Sequence, residues 1–142
     1  MKIEDVVRTK GTGVITIAPA ATVQALVDLL AEHNIGAVVV SSDGRVIDGI
    51  VSERDVVRHL ASDGPDVLAA AVSSIMTAEV KTASLQDEIE ETAHTMTYAR
   101  IRHLPIVVDG ELRALISIGD VVKHRIDQLT DERNHLLGYL HT

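Results

Sequence analysis

Two segments of this chain repeat each other. Residues 14–40, "VITIAPAATVQALVDLLAEHNIGAVVV", align with residues 80–106, "VKTASLQDEIEETAHTMTYARIRHLPI". Thr16 then matches Thr82, Val23 matches Ile89 and Ile35 matches Ile101, each 66 residues on. Past the next turn the offset becomes 65, which matches Ser52 to Ser117 and Asp55 to Asp120. A single-residue deletion in the second hairpin accounts for the change. A duplicated unit restricts the fold more than any other feature, because one solution must serve both copies. With 142 residues the chain fits one compact domain or two small units around a shared core.

Each unit reads β-α-β-β-α. A short extended piece, "GVITIAP" or "EVKTAS", is followed by an amphipathic helix. In the first copy that helix places Val23, Leu26, Val27, Leu29 and Leu30 on one broad face; in the second, Ile89, Ala93 and Met96 keep the spacing more sparsely. Next come a strand, "IGAVVV" or "LPIVV", and a tight hairpin at Asp43-Gly44 or Asp109-Gly110. A second strand, "VIDGIVS" or "LRALIS", then runs into a helix. Strands apolar on both faces imply burial between layers. The reading is therefore α/β (α+β), with a first repeat at 1–62, a connection at 63–78, a second repeat at 79–126 and a helical extension at 127–142. Asp63-Gly64-Pro65 breaks the chain between the units, and the rest of the connection is apolar enough to dock on the body. On the extension, Ile126, Leu129, Leu136, Leu137 and Leu140 form an interrupted stripe, fit either to pack on the chain's own body or to meet a second copy.

The core must be aliphatic, since Phe and Trp are absent and only Tyr98 and Tyr139 are aromatic. With a net charge of -8, this lack of stacking surface argues against nucleic acid as a partner. There is no cysteine, so no disulfide or thiolate metal site. The seven histidines show no metal-binding spacing, and no metal is expected. The mixed-charge N-terminus does not read as a signal peptide, and no apolar run approaches the ~20 residues that span a bilayer. A cytoplasmic protein is the expectation.

The chemistry concentrates where each second strand meets its helix. Ser52-x-x-Asp55 and Ser117-x-x-Asp120 have the spacing of a capping box, in which hydroxyl and carboxylate satisfy helix-start amides. The same groups suit a ligand. An ionised carboxylate only accepts hydrogen bonds, which matches a ribose diol, and helix-start amides favour phosphate. Arg54, Arg58, Arg102, His103 and Lys123 are candidate cations, with Arg54, Arg102 and His103 preferred as phosphate contacts. Pro105 removes a strand donor, so a backbone irregularity there is expected to shape a pocket. Neither serine has a His or Lys at motif spacing, so no catalytic role is supported.

The segments "NIGAVVV…GIVSERDVVR", "IMTAEVKTAS" and "RIRHLPIVVDGELRALISIGDVVK" resemble tandem cystathionine-β-synthase-type (CBS) domains, over roughly residues 3 to 126. The likeness is greatest to small stand-alone pairs with a trailing helix. It implies two repeats around a pseudo-two-fold axis, two clefts for adenosine-containing ligands (AMP, ADP, ATP, NAD or S-adenosylmethionine), and a homodimer. It places ribose on Asp55 and Asp120, and a phosphate or sugar contact on Ser52 and Ser117. It lines the base slot with Thr16, Ile35 and Ala37 in a first site, and with Thr82, Ile101 and His103 in a second. The resulting expectation is a regulatory module that signals in trans, to its own dimer or to an unidentified protein partner. Two alternatives stand beside it: an interaction protein with vestigial clefts, and an enzyme acting on a nucleotide.

Overall fold

The computed structural model describes residues 1–11 and 13–141. The first repeat runs β1 (Thr16–Ile17), α2 (Val23–His33), β2 (Ala37–Val40), β3 (Gly49–Ser52) and α3 (Glu53–Asp63). The second contains α4 (Ile89–Tyr98), β4 (His103–Val108), β5 (Glu111–Ser117) and α5 (Ile118–Leu140). A helix the sequence reading did not anticipate, α1 (Ile3–Lys10), precedes both.

In the first sheet β2 lies between parallel β1 and antiparallel β3. The second sheet is the antiparallel pair β4–β5. Its third member shrinks to a single parallel bridge, in which the Ala83 N–H donates to the Pro105 carbonyl and the Val107 N–H to that of Ala83. The expected strand at "EVKTAS" does not extend further because Glu79, Lys81 and Thr82 are exposed and give it no apolar face. The two hairpins also differ. Asp109 and Gly110, both left-handed (φ 53° and 78°), make the expected two-residue turn. Residues 41–48 form a wider loop instead, in which the Asp43 carboxylate accepts from the Arg45 and Val46 amides. Those amides hold the Asp43 carboxyl below its ordinary range.

The register locates the one fault in β4–β5 between Ile106 and Val107, not at Pro105. Pro105 stays in register with Leu115 and is buried, and Arg113 is the extra residue of the bulge. The missing proline donor therefore leaves the pairing intact.

Each repeat has its own aliphatic core, and each core is completed by a segment that precedes the other repeat in the chain. Val23, Leu26 and Leu30 of α2 pack with Val38, Val51 and Val56, and with Val67, Val72 and Ile75 from the connection. Ile89 and Met96 of α4 pack with Leu104, Ile106, Ile116 and Val121, and with Ile3, Val6 and Val7 of α1. The docking bonds match one for one. The Ile3 and Glu4 amides donate to the carbonyls of Asp87 and Leu85; those of Val72 and Ser73 donate to Ala21 and Pro19. This reciprocal exchange of straps is the signature of a pseudo-two-fold relation.

The extension continues α5 to 23 residues, about 34 Å of helix. Val121 is its only buried residue. Val122, Ile126, Leu129, Leu136, Leu137 and Leu140 are exposed, with Arg133 interrupting the stripe between Leu129 and Leu136, so the stripe does not pack on the chain's own body.

Candidate functional site: two clefts across the repeats

The helices α2 and α4 end alike. Asn34 and Arg100 take left-handed conformations (φ 51° and 56°), and the Ile35 and Ile101 amides close back onto Leu30 and Met96. The chain turns sharply and brings the starts of β2 and β4 to the centre of the molecule. There Ala37 pairs with Ser52 and His103 with Ser117. The Gly36 carbonyl accepts from the Glu53 amide, and the Arg102 carbonyl from that of Ile118.

Both junctions form the full capping box. The Ser52 amide donates to Asp55 Oδ2 at 2.8 Å, and the Asp55 amide to Ser52 Oγ at 3.4 Å. The second junction repeats this, Ser117 to Asp120 at 2.9 Å and Asp120 to Ser117 at 3.1 Å. The bland structural role of these residues is thus real, and it leaves one carboxylate oxygen of each Asp outside the cap.

Two clefts open at the junctions, and each is lined from both repeats. The larger, about 770 Å³, joins Ser52, Arg54, Asp55 and Arg58 to Ile101, Arg102 and His103. Lys81 and Arg100 add two more cations, set against Glu53, Asp55 and Glu79, so this wall is net basic in an acidic protein. Val51, Val57 and Val80 supply apolar surface. Such a space suits a ligand with hydroxyl donors, an apolar plane and negative charge. The smaller cleft, about 330 Å³, joins Val14, Ile15, Ile35 and Ala37 to Leu115 and Ser117, with Lys10 at its edge.

The sequence reading grouped these residues by repeat; the structure crosses them. Ile35 lies with Ser117, and Ile101 with Ser52, because β2 and β4 start side by side on the pseudo-axis. Gly36, Ala37 and His103 line both clefts and form the wall between them. Thr16, Thr82, Pro105, Asp120 and Lys123 line neither; Asp120 lies behind Ser117 and Lys10, which do line the smaller cleft and both bond its carboxylate. Lys10 and Lys81 were missed. Aligning "KIEDVV" with "AVSSIM" would have drawn α1 into the repeat, and Lys10 with it.

Charge differs across the wall. Burial lowers the His103 pKa first, and Lys10 and Arg102 lower it further, against Glu53 and Asp120. Burial works to raise Asp120, but the Lys10 ammonium and the Ser117 donors outweigh it and hold the carboxyl below its usual value. Lys10 Nζ lies 2.6 Å from Asp120 Oδ2. Among the described residues no cluster of three metal-ligating side chains occurs, and no helix is long and apolar enough to cross a membrane.

Residues 3–62 and 72–127 each match the CBS domain family. The chain is 32% identical to the mitochondrial CBS domain-containing protein CBSX3 of Arabidopsis thaliana, over 97% of this chain and 71% of that one. The crystal structure of the CBS-domain containing protein ATU1752 from Agrobacterium tumefaciens superposes with a TM-score of 0.84 at 38% identity, covering 88% of this chain and 99% of that one. The CBS domain pair of protein MJ0100, solved in complex with 5′-methylthioadenosine and S-adenosyl-L-methionine, shares the fold (TM-score 0.78, 20% identity, 90% of this chain and 98% of that one).

Proposed function

The chain belongs to the CBS domain family, and from that premise we propose that it is a cytoplasmic regulatory module that binds an adenosine-containing ligand bearing phosphate (AMP, ADP, ATP or NAD). The observation that carries this reading is the larger cleft. Asp55 presents a carboxylate to a ribose diol, Ser52 a hydroxyl, and Arg54, Arg102 and His103 converge from both repeats on the phosphate side. Ile101 and the wall at Ala37 offer the base an aliphatic slot. The adenosine ligands of the MJ0100 pair support the ligand class. Ile35 and Ser117 are the corresponding elements of the smaller cleft, with Asp120 held behind them by the Ser117 cap and Lys10.

The role is binding, not catalysis. Because the clefts lie between the repeats, a ligand that favours one relative arrangement of them shifts the population towards it. The output passes in trans, to a partner protein or through a homodimer. The exposed seam on α5 supports the homodimer, since Val122, Leu129 and Leu136 recur at the heptad interval of a coiled coil, flanked by Ile126 and Leu140 with Arg133 between them. Leu129→Glu with Leu136→Glu should halve the mass seen by light scattering without loss of helicity; an unchanged mass removes α5 from the interface.

The functional test is thermal unfolding followed by circular dichroism, against AMP, ADP, ATP, NAD and S-adenosylmethionine. A ligand at ~100 times its dissociation constant adds about 2.7 kcal/mol. A selective upward shift, lost in Asp55→Ala, is the expected result. No shift with any ligand, in protein refolded to remove carried-over nucleotide, favours an interaction protein with vestigial clefts.

A further inference from the structure

The two junctions match in sequence and cap geometry, yet their carboxylates have different partners. Asp55 Oδ2 accepts only from Ser52, through its amide and its hydroxyl. Asp120 Oδ2 accepts from the Ser117 amide and also from the Lys10 ammonium at 2.6 Å. That lysine comes from the last turn of α1, whose Ile3 and Val6 are fully buried in the second core. The ammonium is therefore delivered by an anchored helix. The pair is partly shielded from water, with Asp120 29% and Lys10 42% exposed.

A vicinal diol binds a carboxylate best through both oxygens at once. At both junctions one carboxylate oxygen already holds two donors, but at Asp120 one of them is an ammonium, whose full positive charge adds an attraction that a ribose hydroxyl does not offer. A ribose must displace the ammonium to gain the second oxygen. The space left beside Lys10 is also less than half that of the other cleft.

We propose that Lys10 is a built-in competitor for the ribose, so that the chain takes one nucleotide, in the Ser52/Asp55 cleft, and keeps its second cleft latched. The inference rests on the nucleotide-binding reading above. The order of occupancy follows from it: the second cleft fills only when the C-terminal turn of α1 moves.

Isothermal titration with the nucleotide selected by the thermal shifts tests this. Wild type should bind one equivalent, and Asp55→Ala should bind none. Lys10→Met keeps the aliphatic stem without the charge and should bind two. Lys10→Met/Asp55→Ala should bind one, and adding Asp120→Ala should remove it. Circular dichroism checks that each variant is folded. Two equivalents on wild type, or one on Lys10→Met, overturn the latch. Weaker binding by Lys10→Met would make Lys10 a phosphate ligand and overturn it as well. No heat with any variant overturns the nucleotide reading itself, and the latch with it.

Discussion

Asp120 carries two loads, a helix cap and an ion pair, and the second makes it sensitive to acid. Its carboxyl is held below the ordinary range in the folded protein. The unfolded chain therefore binds the proton more readily, and stability must fall as pH drops. The contribution of the Lys10 pair is complete above about pH 4, the unfolded carboxylate range, and is lost as pH falls through the lower folded value. Urea unfolding of wild type and Lys10→Met should differ at pH 7 and converge at the acid end. Parallel curves at every pH would mean that the pair contributes nothing. This contact was not legible in the sequence. Ser52 and Asp55 stand three residues apart and announce their cap, whereas Lys10 and Asp120 are 110 residues apart and meet only through the fold.

The elements are short, and one tight contact fixes the edge of the first sheet. Ile50 and Thr77 exchange both backbone bonds, which seats the connection beside β3. A methyl group on Gly49 would lie 2.6 Å from Met76 Sδ and 2.8 Å from the Thr77 carbonyl. The methionine can swing away; the carbonyl moves only by breaking the bridge. Gly49→Ala should cost about 1–3 kcal/mol, the range for overpacking. Since Thr77 lines the larger cleft, nucleotide affinity should fall with stability. A variant as stable as wild type would show that the edge is loose. At this scale the sequence served well where periodicity was local. The buried face of α2 and the Asp109-Gly110 turn follow from spacing and left-handed geometry alone. It served less well for α1, where Ile3, Val6 and Val7 have helical spacing but lie outside the two units whose alignment guided the reading.

Across the whole molecule the strap exchange ties the two cores together. Removing residues 1–10 would strip Ile3, Val6 and Val7 from the second core while leaving every contact of the first core in place. The shortened chain should nevertheless lose stability as one unit, because both repeats share the wall at Ala37 and His103. Heating followed at several wavelengths tests this: one coincident transition is expected, at lower temperature than wild type, and two separate transitions would mean independent repeats. The crossing of the clefts belongs to this scale as well. The resemblance implied two clefts, but nothing in a linear alignment says which strand of one copy faces which helix of the other.

The exchange has a further consequence for how the chain could be divided. A cut at Gly64-Pro65 leaves the first fragment with α1, which fits only the second core, and the second fragment with Val67, Val72 and Ile75, which fit only the first. Neither half can finish its own interior. Each carries the piece its counterpart lacks, so the severed halves form a lock with two keys, assembled by mutual completion or not at all.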